Sequence, residues 1–95
     1  MFRYEWHIRK ASNNLKKHSI SFDEASTVFC DPLALIFDDL DHSEIEPREI
    51  IIGHSIAGRL ILCIFLENKP GIIRIISARQ ATNKEQADYE ENKHQ

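Results

Sequence analysis

Residues 48–78, "REIIIGHSIAGRLILCIFLENKPGIIRIISA", hold three apolar runs parted by two sets of turn residues. The runs cover 48–55, 60–67 and 72–78, with Ala57-Gly58 and Lys69-Pro70-Gly71 between them. Short runs rich in Ile, Leu and Phe, broken by Gly and Pro, predict consecutive hairpins, here an antiparallel meander. Upstream, "DPLALIFDD" reads as a helix stop followed by a strand over 33–37, and 38–47 as a long polar loop.

The flanks read as helices. Ser21 and Glu24 form a capping-box pattern ahead of a helix over about 22–30 that would bury Phe22, Ala25, Val28 and Phe29. A helix over 8–18 would place Ile8, Ala11 and Leu15 on one side, with Lys16, Lys17 and His18 suiting the negative pole of its dipole. Phe2, Tyr4 and Trp6 alternate like a short strand, and Thr82 and Glu85 repeat the capping-box pattern before a helix over about 83–93. The order β-α-α-β-β-β-β-α predicts one α+β domain over 1–95, an antiparallel sheet with two N-terminal helices and a C-terminal one.

Composition narrows the function. Charged residues make up 28% and apolar ones 42%, a globular pattern. The longest apolar run, "LILCIFL" at 60–66, is far short of a membrane span, and "MFRYEWHIRK" is too charged for a secretory signal. Cys30 and Cys63 lack motif spacing, so reduced thiols and a cytoplasmic location are expected. The net charge of −3 is segmented: +4 over 1–20, −8 over 21–50 and +1 over 51–95. That excludes a uniformly basic nucleic-acid binder but leaves room for a local basic patch, and the acidic middle could face a basic partner. There is no Ser-His-Asp or Cys-His set, no Gly-rich phosphate loop and no metal-ligand cluster, so no cofactor or metal is expected. Asp38, Asp39, Asp41 and Glu44 lack the glycine and terminal glutamate of a calcium loop.

Strand parity then places the charges. A two-residue turn at Ala57-Gly58 would set Arg48 opposite Glu67 and His54 opposite Ile61, and a tight turn at Pro70-Gly71 would set Glu67 opposite Arg74. One face would carry Arg48, His54, Arg59, Glu67 and Arg74. The other, with Ile51, Leu60, Leu62, Ile64, Leu66, Ile73 and Ile75, would lie under the helices. The row Arg48–Glu67–Arg74 has two readings: a cross-strand ion network, or a carboxylate held by two arginines beside a phosphate site. An odd-length loop at 68–71 would dissolve it.

The pieces "EW" at 5–6, "NNLKKHSISFDEASTVFCDP" at 13–32, "DHSEIEPREIIIG" at 41–53, "GR" at 58–59 and "RIISARQAT" at 74–82, followed by Glu85 and Tyr89, resemble the BrnT toxins of bacterial type II toxin–antitoxin modules. In that pattern an acidic residue usually follows the tryptophan, where His7 stands here, and a glycine usually stands at Ser19. The resemblance implies a RelE-like fold and an RNA-cleaving toxin that inhibits translation. Its partner would be a BrnA-like antitoxin with a ribbon-helix-helix DNA-binding domain, in a toxin–antitoxin hetero-oligomer.

Such chemistry needs a base for the 2′-hydroxyl, cations for the phosphoryl oxygens and an acid for the 5′-oxygen. Arginine suits the second task because its planar fork binds phosphate oxygens in pairs. Arg74 and Arg79 lead, then Arg48. Glu67, His54 and His42 are proton-transfer candidates, His42 also a substrate contact. Arg59 could track the RNA backbone or be a solvated turn charge. Tyr89 could stack on a base, donate a proton or pack in the core. A non-catalytic or degenerate toxin-fold interaction module is the alternative function.

Overall fold

The computed structural model describes residues 2–41 and 46–93. The elements are β1 (Arg3–Glu5), α1 (Ile8–His18), α2 (Phe22–Thr27), a 3-10 turn at Val28–Cys30, β2 (Leu35–Asp38), β3 (Glu49–His54), β4 (Leu60–Lys69), β5 (Ile72–Gln80) and α3 (Asn83–Lys93). This is the α+β order expected from the sequence. The strands form one sheet in the order β1-β5-β4-β3-β2. From β2 to β5 each strand lies antiparallel beside its chain neighbour.

The sheet is nonetheless mixed, because β1 runs parallel to β5, with Tyr4 beside Ile73 and Glu5 beside Arg74. The hairpins stack away from β5 and leave its outer edge open, and β1 fills the first part of that edge. Beyond it, Asn14 of α1 takes over. Its side-chain amide donates to the Ala78 carbonyl (2.8 Å) and the Ile20 carbonyl (3.0 Å), and its oxygen accepts from the Ala78 N–H (3.1 Å). A buried side chain thus satisfies a strand residue as another strand would.

Asn14 also explains a departure in α1. The helix turns Asn14 and Ala11 inward, while Ile8 and Leu15 are 83% and 51% exposed. α2 and the 3-10 turn bury Phe22, Ala25 and Val28, and Phe29 packs partly buried beside them, as the sequence pattern predicts.

The core has two parts, one on each face of the sheet. Under α1 and α2 lie Ile51, Ile61, Cys63, Phe65, Ile73, Ile75 and Ala78. On the opposite face, Tyr89 of α3 packs on Ile52, Leu60 and Leu62. The helices therefore cover both faces. The expectation that all of them lie on one side is corrected.

Two loops and two bulges set the register, and they differ from the sequence reading. The β3–β4 loop has three residues, Ile56-Ala57-Gly58. Ser55 N–H donates to the Arg59 carbonyl, and Gly58 N–H to the Ser55 carbonyl (2.9 Å each). Gly58 has φ +81°, the left-handed residue that closes this common hairpin type. Counting three rather than two residues moves His54 from Ile61 to Leu60. Leu60, Leu62 and Ile64 thus join the face that bears His54. Pro70-Gly71 is a tight turn, as expected, but the ladder slips between Glu67 and Lys69. Glu67 consequently sits opposite Ile73 rather than Arg74.

Candidate active site

The second bulge builds the site. Arg74 and Arg79 are an odd number of residues apart, which in a regular strand would send them to opposite faces. The ladder shifts between Ile64 and Phe65, leaving Ile76 unpaired, so that Leu62 pairs with Arg79 and Leu66 with Arg74. Both guanidiniums therefore share the face of His54, the kind of re-aiming that bulges provide. Their Cα atoms are separated by roughly 15 Å of strand, so one phosphate cannot engage both.

Each is held by an acid. Arg79 makes a two-pronged pair with Glu85 (2.7 and 2.8 Å). Glu85 also accepts from the Thr82 N–H (2.8 Å) and donates its own N–H to the Thr82 hydroxyl (3.2 Å), completing the predicted capping box. The Arg79 guanidinium is the main reason that the Glu85 carboxyl is lowered to about 2. Arg74 pairs with Glu5 at 3.1 Å, with both side chains about half exposed. An exposed pair of this kind contributes about 0–1 kcal/mol, and a phosphate can displace the acid. Arg74 also borders a cleft of about 300 Å³ with His7 and Lys10.

His54 stands at the other end of the face. Its Nδ1 lies 3.2 Å from the Tyr89 hydroxyl, which in turn donates to Asp31 Oδ2 at 2.8 Å. Asp31 is a carboxylate, with burial opposing its charge and hydrogen bonds from His54 N–H, Leu33 N–H and Tyr89 holding its pKa below the ordinary value. The Tyr89 proton is thus committed to Asp31. Its oxygen can only accept, and Nδ1 of His54 must carry the donating hydrogen. Nε2 meets no hydrogen-bond partner among the described residues, on a side chain 42% exposed. Burial, then the Asp31 hydrogen bond and charge, push the Tyr89 hydroxyl up to about 12. Tyr89 therefore positions the imidazole rather than giving up its own proton.

The other candidates lie elsewhere. Arg59 clamps the β3–β4 loop to α2 through Glu24, with Nε to Oε2 at 2.9 Å, an NH2 contact to Oε1 and a further bond to the Ser19 carbonyl (3.0 Å). Glu24 also accepts from the Ser55 hydroxyl, so this glutamate caps nothing and ties three elements instead. Arg48 pairs with Glu46 (3.3 Å) near the opposite edge of the sheet. Glu67 shares the sheet side of Ile73, and its carboxylate accepts from the Gly71 N–H (2.7 Å). The expected Arg48–Glu67–Arg74 row does not form, because the β4 bulge turns Glu67 away from Arg74. His42 lies outside the described residues. Tyr89 is 1% exposed, so it cannot stack on a base.

The sequence reading names His54 and Tyr89 separately, the structure brings them together, and Asp31, read only as part of a helix stop, is missed. The signal was present in one feature. Gly53 is the residue whose missing Cβ lets Asp31 reach the His54 amide, since a Cβ there would lie 3.1 Å from Asp31 Oδ2.

A small mixed sheet with helices on both faces is shared with solved proteins. The structure is similar to the crystal structure of the Brucella abortus ribonuclease toxin BrnT. The TM-score is 0.68 at 21% sequence identity, covering 87% of this chain and all of that one. The family model described as "Ribonuclease toxin, BrnT, of type II toxin-antitoxin system" matches residues 6–85. This chain belongs to the BrnT family. No match was found among curated proteins.

Proposed function

We propose that the chain is a cytoplasmic endoribonuclease toxin that cleaves RNA without a metal, inhibits translation, and is held inactive by a BrnA-like ribbon-helix-helix antitoxin. The observation that carries this reading is the β5 bulge, which gathers Arg74 and Arg79 on the face that presents His54. In the proposed reaction Nε2 of His54 takes the 2′-hydroxyl proton and the 2′-oxygen attacks phosphorus. The phosphorus–O5′ bond breaks, and the 5′-oxygen leaves with a proton from an acid. The products end in a 2′,3′-cyclic phosphate and a 5′-hydroxyl. Arg79 stabilises the phosphoryl oxygens once substrate draws it from Glu85, and Arg74 holds the backbone further along β5. Arg48 and Arg59 act in structure, with Glu67 outside the site.

A second reading, a non-catalytic interaction module, draws on one observation: each of the four candidate site arginines, Arg48, Arg59, Arg74 and Arg79, is paired with a carboxylate. Purified chain incubated with RNA in EDTA separates the two. Cleavage with cyclic-phosphate ends supports the enzyme, and intact RNA supports the module. Loss of cleavage in EDTA with recovery on adding Mg²⁺ would refute the metal-free route. Arg79→Ala should lower the rate about 10²–10³-fold, as for other charge-stabilising donors. Unchanged cleavage by a folded Arg79→Ala protein would remove Arg79 from the site.

A further inference from the structure

β2 is an edge strand of unusual character. Among the described residues no strand pairs with its outer side. Ile36 and Phe37 on the strand are 55% and 44% exposed, and Leu33 and Leu40 at its ends are 47% and 84% exposed. Exposed apolar edges invite strand addition, and although β2 is only four residues long its apolar side chains are left uncovered among the described residues. The direction of the free backbone groups follows from the ladder. Asp39 N–H donates to the Arg48 carbonyl, and this pairing alternates through Phe37–Ile50 and Leu35–Ile52. The N–H and C=O of Ile36 and Asp38 therefore point out of the sheet.

Beside this edge runs a groove of about 810 Å³ between the sheet and α3, with Leu35, Phe37, Ile50 and Ile64 in its apolar wall. Its charged lining is Asp39, Asp41, Glu85 and Asp88 against Arg79 and Lys84, an acidic excess, and Asp38 adds another exposed acid on β2. Such a field attracts a cationic, apolar polypeptide.

We infer that the open edge of β2 is the docking strand for the antitoxin, whose segment adds as an extended strand with alternating apolar and basic side chains. The apolar ones enter the groove beside Phe37, and the basic ones, on the opposite pleat, meet Asp38. The added strand itself lies about four strand spacings, roughly 19 Å, from β5, and the groove that its side chains enter runs from Phe37 toward Arg79. The inference rests on the reading of the chain as the toxin of a toxin–antitoxin pair.

The test is hydrogen exchange on the full chain, alone and in complex with the antitoxin encoded beside its gene, with RNA cleavage followed in parallel. At an antitoxin concentration about a hundredfold above Kd, exchange at the Ile36 and Asp38 amides should slow about 100-fold. Phe37→Lys and Ile36→Lys, both at exposed positions, should each weaken the complex at least about 30-fold, the level of a binding hot spot. Raised ionic strength should weaken it too. A complex that leaves those amides unprotected, or that binds Phe37→Lys unchanged, overturns the docking site while the toxin reading stands. Protection of the same amides by RNA, or by self-association without antitoxin, overturns the choice of occupant. A chain that cleaves RNA but forms no complex overturns the inference alone. Protection at Ile36 and Asp38 without RNA cleavage supports the docking site and refutes the nuclease.

Discussion

Asp31 is held in place by donors from three separate parts of the chain: His54 N–H at 2.8 Å, Leu33 N–H at 2.9 Å and the Tyr89 hydroxyl at 2.8 Å. That arrangement fixes which way the imidazole points and which nitrogen is free. Tyr89→Phe removes the acceptor for Nδ1–H and one donor to Asp31. The variant should lose about 1–2 kcal/mol of stability, and ring ¹⁵N shifts should show His54 changing from a single Nδ1–H tautomer to a mixture. RNA cleavage should fall with the tautomer. An unchanged ring spectrum would contradict the hydrogen-bond order. Gly53 is the second control point, because an added Cβ would lie 3.0 Å from both the Ala34 Cβ and a Val28 methyl carbon. Gly53→Ala should cost about 1–3 kcal/mol by overpacking and speed exchange of the His54 amide as Asp31 is pushed off it. Thermal melts and amide exchange report the two effects. His54 and Tyr89 are visible as candidates in the sequence because their side chains announce chemistry. Asp31 is not, because its partners lie 23 and 58 residues away.

Element boundaries were more legible than element faces. α1 and α3 span the segments their caps and charge patterns predict, and Ser21 does accept the Glu24 N–H (3.0 Å). Local signals such as capping residues act over one turn, and sequence displays them directly. Register depends instead on single-residue differences: three loop residues rather than two at Ile56-Ala57-Gly58, and ladder slips near Asn68 and Ile76. Each slip inverts the pairing of side chains beyond it. The face of α1 was misread for a different reason. Its buried contact is polar, and a hydrophobic pattern cannot reveal an asparagine that serves as a strand. Asn14→Ala should cost about 2–4 kcal/mol, since the Ala78 N–H and C=O lose their partners in a buried setting. The C-cap of α1 makes a prediction of the opposite sign. Ser19 has φ +59°, a left-handed conformation that glycine adopts freely. Ser19→Gly should therefore stabilise the protein by a few tenths to about 1 kcal/mol, read as a melting temperature higher by a few degrees. A lower melting temperature would mean that the serine side chain contributes more than the strain removes.

Across the whole molecule charge is sorted from edge to edge. The basic N-terminal residues sit with α1, which packs on β5 at one side of the sheet, while Asp38, Asp39 and Asp41 lie on or beside β2 at the other. Arg74, Lys10 and His7 open toward the basic side, and the Arg79–Glu85 pair stands at the start of the acidic groove. A polyanion is steered to the first side and a cationic partner to the second. The Arg79–Glu85 pair lies where the two territories meet, and acid should expose its role. The Glu85 carboxyl is lowered from 4.5 to about 2, chiefly by Arg79. A carboxylate with a depressed folded-state pKa contributes stability above its unfolded value, and that contribution is lost as pH falls toward the folded value. Stability from this pair is therefore complete above about pH 4.5 and drains away between there and about pH 2. Glu85→Gln keeps an acceptor for the Thr82 N–H, so the α3 cap survives while the ion pair goes. Near neutrality the variant should be less stable by on the order of 1 kcal/mol, the partial exposure of Arg79 screening the pair. Its stability should also decline less steeply across the acid window than that of the parent. Arg79, no longer held, should bind RNA phosphates more readily, lowering KM in the cleavage assay. Equal acid slopes in parent and variant, measured by denaturant unfolding at successive pH values, would show that Arg79 does not hold Glu85 as the geometry describes.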